Sequence, residues 1–167
     1  MSISAPEPIS RQHLLVDFDC GKPLLNNWLK TRALSNHENG FTAVTVIHNE
    51  GRVLGYYGIA PTTIIPNNLP RNIRTGQPPN PIPCLLLGQL AVDKNCAGQG
   101  IGSGLLKHAI TTCIQAAKLV GGRALIVKAI DDEAANFWQR RGFIQTKDDS
   151  LTLVRSMADV MASIRLP

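Results

Sequence analysis

Four glycines at alternate positions, Gly98, Gly100, Gly102 and Gly104, separate the apolar run Leu85 to Val92 from a segment whose apolar residues Leu105, Leu106, Ala109, Ile110 and Cys113 fall at helical spacing. The chemistry such a loop performs is anion binding. Without Cβ atoms, consecutive backbone N–H groups point into one concavity at the positive end of the following helix, where phosphate oxygens fit. The run before the loop has the pattern of a strand buried on both faces. Strand, glycine loop and helix therefore predict a phosphorylated ligand. A P-loop ends in Gly-Lys-Ser/Thr, and here Gly104 is followed by Leu105. The dinucleotide fingerprint meets Ser103 in place of its third glycine and lies past mid-chain, so it fits poorly.

Charge adds a second chemical signal. The net charge is +5, and between Gly51 and Ile130 the only carboxylate is Asp93, against Arg52, Arg71, Arg74, Lys94, Lys107, Lys118, Arg123 and Lys128. One small phosphorylated ligand does not require so many cations, and a polyanionic second substrate uses the surplus. A solvated, solubility-giving surface is the alternative reading. Cys20, Cys84, Cys96 and Cys113 form no C-x-x-C pair, and His13, His37, His48 and His108 add no metal-ligand spacing, so a reduced, metal-free protein is predicted. No apolar run is long enough to cross a membrane, and the first ten residues lack the pattern of a secretory signal.

The elements that must hold the loop follow from periodicity. The 167 residues suit one domain, residues 1–167, burying roughly 70% of its unfolded surface. Ile9 to Phe18 reads as strand then turn. Pro23 opens an amphipathic helix carrying Leu24, Leu25, Trp28 and Leu29 that ends before Asn39-Gly40. Phe41 to Ile47 and Val53 to Ala60 are strands joined by a hairpin turn at His48 to Gly51. Residues 61 to 83 hold seven of the eleven prolines and read as a long loop. After the glycine unit come a buried strand, Ala124 to Ile130, and a helix, Asp132 to Arg141, whose acidic start suits its dipole. One or two strands over Phe143 to Arg155 and a short helix over Ser156 to Ile164 close the chain.

Ala97-Gly98-Gln99-Gly100-Ile101-Gly102 resembles motif A, Q/R-x-x-G-x-G/A, of the GNAT acetyltransferases, with Ala97 where the family carries Gln or Arg. The resemblance extends through Phe18-Asp19-Cys20-Gly21, Leu25-Asn26-Asn27-Trp28-Leu29, Val53-Leu54-Gly55-Tyr56-Tyr57-Gly58, Leu87 to Asp93 and Phe137 to Phe143. Together these are similar to the toxins of bacterial type II toxin–antitoxin pairs that acetylate aminoacyl-tRNA. The resemblance implies an α/β GNAT fold, a mixed central sheet flanked by helices and splayed at the strand before the glycine loop. It implies acetyl-CoA as cosubstrate, held by Ala97, Gly98, Gln99, Gly100, Ile101, Gly102 and Ser103, with pantetheine along Leu90, Ala91 and Val92, and Asp131 where many relatives carry an Asn. Helix N-capping alone also explains an acid at Asp131. It further implies a cytoplasmic, homodimeric toxin that blocks translation, with aminoacyl-tRNA as acceptor and a ribbon-helix-helix antitoxin as partner. Arg71 with Arg74 and Arg140 with Arg141 are the candidate tRNA contacts, the last pair reading equally as a solvated helix end.

The acceptor chemistry can be argued independently. An amine attacks a thioester only when neutral, and an α-amine has a reference pKa of about 7.7 to 8.0, against about 10.4 for lysine. A lysine acceptor calls for a positioned base, and carboxylates are scarce in mid-chain. The oxyanion falls to backbone N–H groups. For the leaving thiolate, the subfamily has Phe-Tyr where this chain has Phe137-Trp138. Either Trp138 packs along the thiol arm while water, Tyr56 or Tyr57 handles the proton, or the chain keeps CoA binding with little turnover. Tyr56 and Tyr57 alternate across their strand, which predicts one facing the pocket and the other the core or solvent. A GNAT acting on protein or small-molecule amines is the alternative enzyme.

Overall fold

The computed structural model describes residues 2–165. Its strands are β1 (Glu7–Pro8), β2 (Ala43–Asn49), β3 (Arg52–Ile64), β4 (Ile82–Val92), β5 (Ala124–Lys128), β6 (Ile144–Gln145) and β7 (Thr152–Ser156), hydrogen-bonded in the order β1-β2-β3-β4-β5-β7-β6. The helices are α1 (Pro23–Trp28), α2 (Leu34–Glu38), α3 (Arg71–Arg74), α4 (Ile101–Val120), α5 (Asp132–Gln139) and α6 (Met157–Arg165). The sheet is mixed: β4 and β5 run parallel through Leu85–Leu87 against Leu125–Val127, whereas β1 with β2, β2 with β3, β5 with β7 and β6 with β7 are antiparallel. Two compact units share the chain, one comprising the residues up to Ala60 with Gln89–Ala109, the other Pro61–Gly88 with the residues from Ile110 on.

In the first unit the hairpin turns at Glu50-Gly51, and Ile9, Phe18, Leu29, Ala33, Val44, Val46, Val53, Tyr56 and Ala91 form the core. Pro23 starts α1 at a position where its missing N–H is harmless, and the turn Leu29–Ala33 widens to a π-helical stretch before α2. Of the strand and turn read over Ile9 to Phe18, the turns form and the strand does not. Its ladder consists of β1 and an isolated bridge, Leu14 to Arg52, because its backbone groups pair singly: Ile9 N–H to Val44 O, Leu14 N–H to Gly51 O, and Val53 N–H to Leu14 O.

In the second unit the proline-rich stretch is more ordered than a loop. β3 runs on to Ile64, α3 forms after Pro70, and β4 starts at Ile82. Leu69, Ile73 and Ile82 bury with Cys84, Ala124, Ile126 and Val154, so apolar contacts organise a segment that lacks periodicity. Arg123, one of the mid-chain cations read either for a polyanionic substrate or as solvated surface, fastens α3 by donating from Nε to Ile73 O at 2.9 Å and from Nη2 to Thr75 O at 3.2 Å.

Candidate active site

The glycine unit forms as predicted. β4 leads through Asp93 and a short 3₁₀ turn, Lys94–Cys96, into the loop and then α4, whose first helical bond runs from Gly104 N–H to Gly100 O. The amides before that bond have no partner within the helix, and such a helix N-terminus suits an anion. Gly98 and Gly100 lie at φ +79° and +76°, conformations that an L side chain rarely adopts, and a Cβ on either would meet only open space. That space is a cavity of about 410 Å³ lined by Cys20, Val92, Asp93, Lys94, Cys96, Ala97, Gly98, Gly100, Gly102 and Ser103. Backbone donors, a helix N-terminus and an open cradle fit a diphosphate.

Of the residues expected to hold the cofactor, Val92, Ala97, Gly98, Gly100, Gly102 and Ser103 line this cavity. Leu90 and Ile101 are half-buried beside it in sequence, Ala91 belongs to the core of the first unit, and Gln99 is exposed. Sequence reasoning missed Cys20, Asp93, Lys94 and Cys96 as cavity residues. Phe18 to Gly21 was quoted as a signature without a role, and the structure supplies one. Asp19 N–H donates to Asp93 Oδ2 at 3.1 Å and Lys94 N–H donates to Asp19 O at 2.8 Å, so the head segment clasps the end of β4. Asp93 is 3% exposed, and its other oxygen accepts from Asn95 N–H at 2.9 Å. Burial raises the pKa of the Cys20 thiol, which keeps it protonated and a poor nucleophile near neutrality.

Tyr56 and Tyr57 are both 0% exposed. Both are therefore buried, and neither is among the residues that line the glycine-loop cavity. Tyr56 stacks on Trp28 and meets Phe18 edge-on, and its hydroxyl donates to Leu25 O at 2.7 Å. Burial raises its phenol pKa. Tyr57 places its hydroxyl 2.7 Å from His108 Nδ1. In the second unit Trp138, 7% exposed, packs edge-to-face against Phe137 and Phe143 at centroid distances of 5.0 and 5.2 Å. Asp131 caps α5, accepting from Ala134 N–H at 2.8 Å. Arg71 and Arg74 are exposed on α3, and Arg140 is exposed at the end of α5. Arg141 lies over the Phe137 ring at 3.6 Å and donates to Phe137 O, which caps its own helix.

The histidines depart from the sequence expectation. His13 and His48, which no spacing connects, meet Glu7, with ligand-type atoms within 4.8 Å of one another. Both Nε2 atoms contact Glu7 Oε1, at 2.8 and 2.6 Å. Their Nδ1 atoms accept backbone N–H groups from Ser10 and Gly51, so each neutral ring carries its proton on Nε2 and donates it to the carboxylate. A metal-binding histidine instead donates from its second nitrogen. The cluster is wired as a hydrogen-bonded clamp on β1 and β2.

A mixed sheet with a glycine-loop cradle at the N-terminus of its longest helix is the architecture of an acyl-CoA-dependent transferase. Residues 40–145 match the model of the acetyltransferase (GNAT) domain, and the chain belongs to the GNAT acetyltransferase family. Within that family it is 39% identical over 161 residues, 96% of each chain, to a tRNA-acetylating toxin of Mycobacterium tuberculosis (strain ATCC 25618 / H37Rv). It is also similar to AtaT complexed with acetyl-methionyl-tRNAfMet, with 27% identity, a TM-score of 0.86, and coverage of 98% of this chain and 99% of that one. A tyrosine-to-phenylalanine mutant of AtaT bound to the C-terminus of the antitoxin AtaR and acetyl-CoA matches with 26% identity, a TM-score of 0.80, and 98% coverage of each chain. Among the described residues, no helix is long and apolar enough to cross a membrane.

Proposed function

We propose that this protein is an N-acetyltransferase toxin that moves acetyl from acetyl-CoA to the α-amino group of an aminoacyl-tRNA, blocks translation, and is neutralised by a ribbon-helix-helix antitoxin. It acts in the cytoplasm as a homodimer of one GNAT domain, residues 1–167. The observation that carries the proposal is the backbone cradle at Gly98 to Ser103, in a chain that aligns end to end with a tRNA-acetylating toxin.

The cofactor supplies an activated acetyl thioester. The amides of the glycine loop grip its diphosphate, and the β4 edge at Leu90 to Val92 aligns the pantetheine arm and offers N–H groups to the developing oxyanion. The structure favours an α-amine acceptor over lysine on one further ground. Asp93, the single carboxylate of mid-chain, is 3% exposed and has each oxygen engaged by a backbone amide, of Asp19 and of Asn95, which disfavours it as a base. An α-amine near pH 7.5 is already substantially neutral, and orientation then supplies most of the remaining rate.

Trp138 supports a second reading. Its indole lacks a transferable proton, which favours a cofactor-binding protein with slow turnover. In vitro translation with and without acetyl-CoA, followed by mass analysis of the aminoacyl-tRNA pool, decides between the readings. Acetylated aminoacyl-tRNA that appears only with acetyl-CoA is the expected result. An unmodified pool despite tight acetyl-CoA binding selects the second reading, and a modified protein or small amine with an untouched pool overturns the tRNA assignment.

A further inference from the structure

Among the described residues one basic side chain lines the glycine-loop cavity, Lys94, and it is paired with a carboxylate. Its Nζ lies 2.9 Å from Asp19 Oδ2. Asp19 is gripped from its other side, where Oδ1 accepts from Gly21 N–H at 2.8 Å and from Asn26 Nδ2 at 3.0 Å. Asn26 is fixed in turn by Cys20 N–H, which donates to its Oδ1 at 2.9 Å. A lysine on its own spreads over many rotamers, and a carboxylate anchored this firmly removes much of that freedom before any ligand arrives. The ammonium carries three donors, of which Asp19 takes one. The pair also raises the Lys94 pKa, which keeps the charge in place. Elsewhere the wall offers backbone, the Ser103 hydroxyl, the Cys20 and Cys96 thiols and the Asp93 carboxylate, whose oxygens accept from the Asp19 and Asn95 amides, and Ala97 has no side-chain donor.

We infer that Lys94 is a further diphosphate-binding residue of this site and that Asp19 is its positioning residue, holding the ammonium at the cavity wall for the anion. The inference rests on the reading of the glycine loop as the diphosphate site. It gives the Phe18 to Gly21 signature and Asn26 a task in cofactor capture, with Asp19 itself tied through its amide to Asp93, 74 residues on.

Calorimetry with acetyl-CoA tests this on the wild type, Lys94→Gln, Lys94→Arg, Asp19→Asn, the Asp19→Asn/Lys94→Gln double variant and Gly100→Val, with ligand-free melting curves to check folding. Asn at position 19 keeps an acceptor for Gly21 and Asn26, so the loop survives while the ion pair is lost. Lys94→Gln should weaken binding about tenfold and flatten its salt dependence. Lys94→Arg keeps the positive charge, delocalised over a guanidinium, and should stay within about threefold of wild type. Asp19→Asn should lose roughly threefold to fivefold, and the double variant no more than Lys94→Gln alone, because Asp19 acts through Lys94. A merely structural role for Asp19 multiplies its loss onto that of Lys94→Gln, and that outcome overturns the positioning claim. Unchanged affinity in Lys94→Gln with a weakened Gly100→Val overturns the Lys94 assignment and leaves the loop reading standing. Unchanged affinity in folded Gly100→Val overturns the loop reading itself.

Discussion

A phenol can give up its proton near neutral pH to a departing thiolate, and an indole cannot. That difference decides what Trp138 contributes. If a side-chain acid is the missing component, Trp138→Tyr should raise acetylation of aminoacyl-tRNA by about a hundredfold, most visibly below the thiol pKa of about 8.5. Trp138 is buried against Phe137 and Phe143, and the smaller ring also leaves a void that lowers stability. Rates measured across about pH 6 to 9 separate these effects, since a void lowers activity at every pH whereas a restored acid raises it chiefly at the low end. Tyr56 invites the opposite experiment, because its hydroxyl is fully buried and bonded to Leu25 O. Leu25 O also accepts from Leu29 N–H, so Tyr56→Phe removes one of two donors to that carbonyl and should cost about 1 kcal/mol in urea unfolding. A variant as stable as wild type would show that the Leu29 amide alone satisfies the carbonyl.

At the scale of elements, the short α3 depends on a single distant arginine. Four residues are too few for a stable isolated helix, and α3 borrows order from Ile73 in the core and from Arg123. Arg123→Ala should speed hydrogen exchange across Arg71–Arg74 by about tenfold while leaving β2 and β3 unchanged. Equal protection in the variant would assign the order to Ile73 alone. The connection between β6 and β7 has its own lock at Asp149, whose Oδ1 accepts from Leu151 N–H and whose Oδ2 accepts from Thr152 Oγ1. The Leu151 amide first, then the Thr152 hydroxyl, lowers the Asp149 pKa. A carboxylate with a lowered folded pKa adds stability that is present above its unfolded value of about 3.9 and is lost as pH falls through the folded one. Melting temperature should therefore drop on acidification below about pH 4, and the drop should be smaller in Asp149→Asn. The same slope in both proteins would remove Asp149 from the acid response.

For the whole molecule the question is where the positive charge goes. Of the mid-chain cations, Arg123 is committed to α3 and Lys94 to Asp19; of the exposed remainder, Arg71 and Arg74 stand together on a helix with no acidic residue in its first turn. Arg141 caps its own helix, so Arg140 is the better candidate of that pair. Neutralising Arg71 and Arg74 together should weaken binding of aminoacyl-tRNA and reduce its salt slope by about two contacts, with acetyl-CoA affinity nearly intact. Unaltered tRNA affinity at low salt would make these arginines plain solvated surface.

Much of this architecture is readable along the chain, because what specifies it is local. The apolar run of β4, the alternating glycines and the spacing of Leu105, Ala109 and Cys113 in α4 are each encoded within a few neighbours, and a strand, a cradle and a helix follow from them directly. The hairpin of β2 and β3 and the capped start of α5 are legible for the same reason. The segment from residue 61 to 83 is not, since its order comes from burying Leu69, Ile73 and Ile82 against partners far along the chain. Nor does any spacing announce that Asp19 would hold Lys94, that Glu7 would join His13 to His48, or that Arg123 would cap the carbonyls of α3. Those pairings are made by side chains whose separation is set by strand order and packing, and a hydrogen bond sensitive to tenths of an ångström forms only after the backbone has brought its partners together. The sequence by itself determined the cradle and the class of ligand it receives; the tertiary structure decided which distant side chains stand at its rim.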